Sequence, residues 1–333
     1  LYWSPNACLP ITIGSVHDGK LNLAFKLIKK AASSGADIIK FQMHISEYET
    51  LKNAPSPKYF NKEDRYSYFK RTSFDLLDWK KIKKYCEQNN TEFLCSPFSI
   101  EAVDLLEKLN VKYYKVPSGE LTNLPLLEKL NKTGKKIILS TGMSNWKEID
   151  NAVKIFNKKK IILLQCSSIY PCPLNRVGIN VIKDFSKRYK CQVGFSDHTL
   201  GSSASFAAAS VGASVIEKHF TLSRDMYGSD AKNSMEPEEF KLFSKTIKEI
   251  WHINQNNINK NNIKEFKDMK IIFEKSIYAK NDLQKGHRIK FNDLSFKKPC
   301  KYLRADKYKT LIGKVLVKMI KKDEPLHVKN VKK

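Results

Sequence analysis

The sequence predicts a (β/α)8 barrel followed by a smaller β-rich domain, and three observations support this fold class. Eight short apolar runs alternate with amphipathic stretches over about 250 residues, which is the pattern of a parallel barrel surrounded by helices. After Trp251 the chain becomes polar and rich in Asn and Lys. From Lys275 onward, short β-prone runs are separated by turn residues, which indicates a separate small domain.

The eight apolar runs are the predicted strands of the barrel. They cover residues 11–16, 37–42, 92–98, 113–118, 136–141, 161–166, 192–197 and 214–220. Helical periodicity is found in the intervals 22–35, 75–89, 100–110, 124–134 and 146–158. Several of these intervals end near Gly or Asn, as helix carboxyl termini do.

The alternative fold is a doubly wound open sheet. Such sheets more often carry a Gly-rich phosphate-binding turn after the first strand. Here the first strand leads into "GSVHDG" (14–19), which lacks the G-x-G-x-x-G spacing. The barrel is therefore favoured, with a TIM-barrel domain at 1–255, a linker at 256–274 and the small domain at 275–333.

The formal net charge of the chain is +26, and lysine supplies nearly all of the excess. The lysines are scattered at helical spacing without a nucleic-acid-binding motif, so we interpret them as a solvated surface and expect no nucleic-acid partner. Such a surface would attract an anionic substrate. No apolar run reaches membrane-spanning length, and none of the seven cysteines forms a C-x-x-C pair. We expect reduced thiols, a cytoplasmic location and no membrane partner.

Polar side chains lie at the carboxyl ends of the predicted strands, where barrels of this class carry their active sites. Lys40 and Lys115 lie inside apolar runs, where an unpaired ammonium group is costly, so each is expected to face an anion. Two other roles stay open: an ion pair with a barrel carboxylate such as Glu217, or a Schiff-base nucleophile. Phosphate binding is favoured because hydroxyl groups lie at the same strand ends, those of Ser96, Ser118, Ser140 and Ser196.

Two of the seven histidines, His198 and His219, lie at the carboxyl ends of the last two predicted strands. Neighbouring strands lie about 4.8 Å apart, so histidines at equivalent ends can share one metal ion. Two imidazole ligands leave several coordination positions open, which suits catalysis better than a structural role. The sequence therefore predicts a catalytic metal site at these strand ends.

A series of short motifs runs through nearly the whole chain. In the predicted barrel they are "IIKFQ", "SPFS", "KVPSGE", "STGMSN", "LQCSSIYPCP", "VGFSDHTLG", "VIEKHFTL" and "GSDAKNSMEPEEF", and in the tail they are "SIYAKNDLQKGHRI", "NDLSFKKP" and "LIGK". In order and spacing, the barrel motifs resemble the sialic acid synthase family, which includes N-acetylneuraminate, legionaminate and pseudaminate synthases. The tail resembles the antifreeze-like (SAF) domain that ends these enzymes.

The resemblance implies a transferase that condenses phosphoenolpyruvate with an N-acetylmannosamine-type acetamido sugar and water. The products are a nine-carbon sialic acid-type 2-keto acid and phosphate, which leaves by C–O cleavage. A divalent cation, Mn²⁺ or Mg²⁺, is held by His198 and His219 in the family pattern and acts as a Lewis acid. The family pattern also implies a homodimer with exchanged carboxyl-terminal domains, in which a basic loop residue, here Lys298, serves the partner's site.

The same matching assigns roles to individual residues. Glu120, Lys115 and the two histidines are the catalytic candidates, with Gln42 and Ser168 as further substrate contacts. The residues implied to hold phosphoenolpyruvate are Lys40, Ser96, Lys115, Ser118, Ser140 and Ser196. Those implied to face the sugar are Glu120, Tyr170 and Asp230.

Two departures from the family pattern affect the expected chemistry. Thr12 replaces a family glutamate near the reacting groups, which leaves proton handling to Glu120 or Asp18. "KKPCKY" (297–302) replaces K-R-P-G-x-G, so Lys298 stands for an arginine and two glycines are lost. The alternatives are a pyruvate-dependent Schiff-base aldolase or lyase that uses Lys115, and a catalytically impaired paralogue that binds a sugar or an anionic polymer.

Overall fold

The computed structural model describes residues 7–56, 63–228 and 230–333. The chain divides into two compact units, Leu1–Asn256 and Asn257–Lys333. Within the described residues, no helix is long and apolar enough to cross a membrane.

Eight parallel strands close the first unit into a barrel, and their order around the barrel is their order in the chain. The barrel closes because β1 pairs with both β2 and β8. The predicted (β/α)8 barrel is confirmed, and the doubly wound alternative is wrong. The strands are β1 (Pro10–Gly14), β2 (Ile38–Met43), β3 (Glu92–Pro97), β4 (Tyr113–Val116), β5 (Lys136–Ser140), β6 (Ile161–Cys166), β7 (Gln192–Asp197) and β8 (Val215–His219).

Helices follow the strands and cover the outside of the barrel. All five predicted helical intervals contain a helix, and in four of them a residue with positive φ lies two positions after the end of the helix: Gly35, Asn90, Asn110 and Gly134. The helices are α1 (Leu21–Ser33), α2 (Ser46–Glu49), α3 (Arg65–Thr72), α4 (Leu76–Gln88), α5 (Ile100–Lys108), α6 (Leu124–Lys132), α7 (Trp146–Lys154), α8 (Asn180–Tyr189), α9 (Ser203–Ser210) and α10 (Pro237–Gln255).

The alternation of side chains along each strand divides the core into two layers. Ile39 and Phe41 of β2 point outward into the large cluster between strands and helices, whereas Ile38 belongs to a small apolar cluster of alternate strand positions. Lys40 and Gln42 share the face of Ile38 and follow it along β2 toward the carboxyl end. The inner face of the barrel is therefore apolar at one end and polar at the other.

The second unit has its own small core. It contains α11 (Lys267–Phe273) and two antiparallel strand pairs, β9 (Ser276–Ala279) with β10 (Leu294–Lys297) and β11 (Val315–Leu316) with β12 (Val331–Lys332). Nine buried apolar residues, among them Ile277 and Leu326, form its core. The segment 256–274, expected as a linker, lies almost entirely in this unit and includes α11.

Candidate active site

A cavity of about 370 Å³ opens at the carboxyl ends of the barrel strands. Side chains from β2, β4, β5, β6, β7 and β8, from the loops after these strands and after β3, and from α3 form its walls. The residues singled out from the sequence that line it are Lys40, Gln42, Lys115, Ser118, Ser140, Ser168, Tyr170, Ser196, His198, His219 and Asp230. The fold thus brings together side chains that are up to 190 positions apart in the chain.

Two buried lysines share one carboxylate at the base of this cavity. Lys40 Nζ lies 3.1 Å from Glu217 Oε1, and Lys115 Nζ lies 3.9 Å from Glu217 Oε2. Ser196 donates to Glu217 at 3.0 Å, and Lys115 donates to Ser140 Oγ at 2.7 Å. The ion pair with Glu217, which the sequence left open, is therefore present, yet it leaves one positive charge in excess. That excess suits an anionic ligand.

Burial changes the proton affinities of this cluster. Desolvation lowers the pKa of Lys115 to about 8, although Glu217 opposes the shift. Burial alone would raise the pKa of Glu217, but the ammonium groups of Lys115 and Lys40 lower it to about 2. Glu217 is therefore ionised at neutral pH, and Lys115 is the group closest to losing its proton.

Hydroxyl groups surround Gly142, the residue after Thr141 in the loop that follows β5. Its backbone N–H donates to Ser118 Oγ at 3.0 Å. An added Cβ on Gly142 would lie 2.5 Å from Ser168 Oγ, 2.8 Å from Cys166 Sγ and 2.9 Å from Ser118 Oγ, so no larger side chain fits here. The three groups form a polar wall beside the lysines.

The two histidines lie side by side, with ring centroids 5.5 Å apart. His198 Nδ1 lies 2.8 Å from the Ser167 carbonyl, which can only accept, so Nδ1 carries a proton, and Nε2 has the lone pair in the neutral ring. Burial opposes the charged form of His198, but Cys166 beside it raises its pKa. Tyr170 stacks on this ring and its hydroxyl is 2.8 Å from Nε2. His219 Nδ1 is buried without a hydrogen-bond partner among the described residues, and burial lowers the pKa of His219 to about 4.

These imidazoles fit a divalent cation as a two-histidine site. A carbonyl that fixes the tautomer of a ligating imidazole is the usual second partner of metal-bound histidine, and His219 is neutral with an unpartnered nitrogen. A cation at His198 Nε2 would take the place of the Tyr170 hydroxyl. In the described part of the chain, no three or more His, Cys, Asp or Glu side chains cluster as metal ligands. Two protein ligands would leave the remaining positions to substrate and water.

Asp230 and Gln42 meet at the end of β1. Gly14 has φ of +57°, and an added Cβ there would lie 2.6 Å from Asp230 Oδ2 and 3.4 Å from Gln42 Oε1. Asp230 Oδ2 is also 3.7 Å from His219 Nδ1. Glycine at this position therefore lets a carboxylate and an amide approach the histidine side of the cavity.

Four of the residues singled out from the sequence lie elsewhere or are already engaged. Ser96 is buried on the inner face of β3 without a hydrogen-bond partner among the described residues, and it is not part of the cavity lining. Glu120 is half-buried beside the cavity rather than in its lining, where it accepts from Asn123 at 2.8 Å. Burial raises the pKa of Glu120. Lys298 belongs to the second unit, where its ammonium lies 5.0 Å from the ring centroid of Phe273.

The fourth of these residues is Asp18, which the sequence offered as a proton carrier. Its carboxylate pairs with Arg71 at 2.7 Å and with Lys20 at 3.1 Å. Burial opposes ionisation, but these cations lower the pKa of Asp18. It is therefore held as an ion-paired carboxylate.

Thr12 stands at the family glutamate position on β1. In the barrel sheet it lies opposite Lys40 of β2 and His219 of β8. Its buried hydroxyl has no hydrogen-bond partner in the described chain.

Sequence reasoning missed several cavity residues. His44 follows Gln42 by two positions, so strand alternation could have placed it on the same face. Cys166, whose thiol lies 3.7 Å from His198 Nδ1, carries the same signal at the end of β6. The other missed residues are Arg65, Phe69, Phe98, Met143 and Asn233, which come from loops and from α3 and have no strand periodicity.

Behind the histidines, Lys218 and Asp197 form a buried ion pair with a separation of 3.0 Å. Lys218 also donates to the carbonyl groups of Thr199 and Gly201, at 2.5 and 2.9 Å. Asp197 accepts from Thr199 N and from Ser205 Oγ. These bonds hold the loop that carries His198 in place. They also engage Asp197 and Lys218, the charged residues that precede His198 and His219, on the side away from the cavity.

Replacing Asp197 by alanine is expected to lower the free energy of unfolding by about 3–5 kcal/mol, because it leaves the Lys218 ammonium buried without its partner. Urea unfolding followed by circular dichroism measures this change. The matched control is Glu87→Gln, which removes an exposed pair with Lys83 and is expected to cost less than about 1 kcal/mol. Equal losses in the two variants would contradict a structural role for the buried pair.

Two protein-family models match the chain. The NeuB family matches residues 27–259, and the SAF domain matches residues 274–332. The N,N'-diacetyllegionaminic acid synthase of Campylobacter jejuni is 40% identical over 93% of this chain and 96% of that protein. The pseudaminic acid synthase of Helicobacter pylori is 30% identical over 95% of each chain.

A solved structure shows the same arrangement of the polypeptide. The N-acetylneuraminic acid synthetase of Leptospira borgpetersenii superposes with a TM-score of 0.70 at 29% identity, covering 79% of this chain and 91% of that chain. The family match covers most of the barrel, and the relatives extend through both domains. The chain therefore belongs to the NeuB family, the sialic acid synthases, and it carries a SAF domain at its carboxyl end.

Proposed function

We propose that the protein condenses phosphoenolpyruvate with an acetamido sugar in its open aldehyde form, and with water, to give a nine-carbon 2-keto acid and phosphate. The observation that supports this most directly is the pair of buried ammonium groups, Lys40 and Lys115, that share the single carboxylate of Glu217 in the cavity that the imidazoles of His198 and His219 also line. An anion is favoured at one end of the cavity and a cation at the other. A substrate pair made of a phosphorylated enol and an aldehyde fits that distribution of charge.

In the proposed reaction, Lys40 and Lys115 bind the phosphate and carboxylate of phosphoenolpyruvate, with the hydroxyl groups of Ser140 and Ser196 beside them. C3 of phosphoenolpyruvate attacks the aldehyde carbon, which forms the new C–C bond and leaves C2 electron-deficient. Water adds to C2 and loses one proton, and the aldehyde oxygen takes up one proton to become a hydroxyl group. The bond between C2 and the phosphate oxygen then breaks, the new C2 hydroxyl loses its proton to the departing phosphate, and the products are the C2 ketone and inorganic phosphate.

Mn²⁺ or Mg²⁺ bound to His198 and His219 would act as a Lewis acid toward the aldehyde oxygen. Tyr170 and Asp230 line the same end of the cavity and are proposed to orient the sugar hydroxyl groups. Asp18 is engaged with Arg71, so Glu120 is the proposed proton carrier near the sugar.

The sugar is proposed to carry two acetamido groups. The relative that is 40% identical over nearly the whole chain is named as an N,N'-diacetyllegionaminic acid synthase. A hexose with one acetamido group is the alternative, because other relatives are named for N-acetylneuraminate-9-phosphate.

Phosphate release from phosphoenolpyruvate tests this function. We expect release only when an acetamido sugar is present, and we expect EDTA to abolish it and Mn²⁺ or Mg²⁺ to restore it. With ¹⁸O in the bridging C2–O position, the label is expected in the released phosphate. Label retained in the keto acid would contradict C–O cleavage.

A second candidate is a Schiff-base aldolase or lyase, which the lowered pKa of Lys115 favours because more of the amine is neutral. Borohydride with pyruvate would trap a covalent adduct on Lys115 in that case. The third alternative, an impaired paralogue, predicts binding of a sugar or an anionic polymer without phosphate release or adduct.

We further propose a homodimer with exchanged carboxyl-terminal domains, in which Lys298 serves the partner's site. The family resemblance supports it, and relatives match both domains of the chain. Sedimentation analysis should give twice the chain mass of 38.4 kDa. A monomer at micromolar concentration that is fully active would contradict this proposal.

A further inference from the structure

His44 lies at the rim of the cavity between two aromatic rings. Its imidazole stacks on Phe69 with a centroid distance of 3.6 Å and on Phe98 with 4.0 Å. The side chain is only 6% exposed, and it lines the cavity together with both rings. The stack fixes the plane of the imidazole, so its nitrogen atoms have defined directions.

The hydrogen bonds of His44 determine which nitrogen carries the proton. Nδ1 lies 2.7 Å from Glu49 Oε1 on α2, and the carboxylate oxygen accepts, so Nδ1 carries the proton. Burial lowers the pKa of His44, although Glu49 opposes the shift. The ring is therefore neutral, and Nε2 is a hydrogen-bond acceptor. Nε2 is fully buried and has no hydrogen-bond partner among the described residues, which is an unfavourable arrangement for a polar atom.

A hydrogen-bond donor lies in the same part of the rim. Arg65, the first residue of α3, lines the cavity, and its guanidinium carbon lies 5.6 Å from the ring centroid of Phe69. Its Nε is buried and has no hydrogen-bond partner within the described residues. Arg65 also acts electrostatically on His44 and on Glu120. An acceptor, a donor and apolar rings therefore lie around one part of the cavity.

The charges at this subsite disfavour a second anion. Glu49 and Glu120 interact electrostatically with each other, and Glu49 is bonded to His44. The lone pair of His44 Nε2 also repels a phosphate or carboxylate oxygen. A neutral group that offers one N–H, one C=O and a small apolar end matches the acceptor of His44, the donor of Arg65 and the aromatic rings.

We propose that His44 and Arg65 form the subsite that recognises the second acetamido group of a diacetamido hexose. The amide N–H donates to His44 Nε2, the amide oxygen accepts from Arg65, and the methyl group packs against Phe98. This inference rests on the proposed function, and it makes His44 a specificity-determining residue of the reaction. A hydroxyl group at that position of the sugar must meet both polar partners through a single oxygen atom, and it offers no methyl group to Phe98.

The test uses His44→Phe, which keeps the aromatic stack and removes the acceptor. For a diacetamido hexose, kcat/KM is expected to fall about 10- to 100-fold, as for other buried hydrogen bonds to substrate. For the matched hexose with one acetamido group it is expected to change less than about threefold. KM for phosphoenolpyruvate should stay unchanged. An equal loss with both sugars would overturn the subsite.

Binding measured without turnover separates this inference from the proposed reaction. Saturation-transfer NMR of the acetyl methyl signals, with phosphoenolpyruvate absent, is expected to show the second methyl of the diacetamido hexose in contact with the wild-type protein. His44→Phe should abolish that signal and keep the first. If the wild-type protein binds both sugars equally well, the subsite is wrong. If binding discriminates but no phosphate is released with any sugar, the proposed reaction fails and the subsite stands.

Glu49→Gln supplies a second, independent test, because glutamine can either accept from Nδ1–H or donate to Nδ1, so it no longer fixes the tautomer of His44. The ¹⁵N shifts of the His44 ring are expected to show the proton on Nδ1 in the wild-type protein and a mixture of the two tautomers in the variant, with a parallel weakening of the preference for the diacetamido hexose. Glu47→Gln on the same helix is the matched control, since Glu47 is exposed and lies 3.5 Å from Lys70. An unchanged preference in a variant whose ring populates both tautomers would contradict the acceptor role.

Discussion

Replacing His198 and His219 together by alanine is expected to lower kcat by at least about a thousandfold, while the barrel stays folded. The loss follows if the two imidazoles hold the Lewis acid that polarises the aldehyde. Such polarisation stabilises the transition state by several kcal/mol. The free energy of unfolding should change little, because His219 Nδ1 has no hydrogen-bond partner in the described chain and His198 contributes hydrogen bonds of about 1 kcal/mol each.

Metal affinity gives a readout that does not depend on turnover. Titration of Mn²⁺ followed by electron paramagnetic resonance is expected to show one site in the wild-type protein and none in the double variant. His252→Ala is the control, since His252 is exposed on α10 on the outside of the barrel. Full activity of the double variant, or unchanged Mn²⁺ binding, would exclude the two-histidine site.

The sequence predicted the barrel well because strands are defined locally. Each apolar run has the length and composition of a buried strand, and the order of parallel strands in a barrel is the order in the chain. The sequence also left open an ion pair of Lys40 or Lys115 with Glu217, and the structure has both ammonium groups within 3.9 Å of the Glu217 carboxylate.

The remaining features depend on contacts between distant segments, which periodicity does not reveal. Asp18 looked available for proton transfer, but Arg71 of α3 reaches it across 53 positions of the chain. Arg65 and Phe69 reach the cavity from the same helix, and nothing in their own sequence indicates that they face it. Glu120 follows β4 closely, yet a single 3₁₀ turn (Ser118–Glu120) carries it beside the cavity. The residues at the proposed sugar end of the site thus come mostly from loops, whereas those at the proposed phosphate end come mostly from strands.

Replacing Lys115 by methionine is expected to raise KM for phosphoenolpyruvate by about a hundredfold or more, with a much smaller effect on KM for the sugar. Methionine keeps the length of the side chain and removes the charge that faces the anion, and buried charge-assisted hydrogen bonds to ligand are worth about 2–5 kcal/mol. The companion variant Ser140→Ala removes only the neutral partner of Lys115 and should cost about tenfold or less. An unchanged KM for phosphoenolpyruvate with a much higher KM for the sugar would place Lys115 at the other substrate.

The pH dependence of phosphoenolpyruvate binding distinguishes an ammonium ligand from a nucleophilic amine. Burial lowers the pKa of Lys115 to about 8, so the ammonium form is present below that pH and is lost above it. Phosphate groups are already ionised above pH of about 6, so affinity for phosphoenolpyruvate is expected to fall as the pH rises through about 8. Lys115→Arg stays charged over this range and should bind phosphoenolpyruvate without that loss. A Schiff-base lysine would behave in the opposite way, because its reactivity increases as the amine loses its proton; activity that rises through pH 8 and disappears in the arginine variant would therefore favour the lyase.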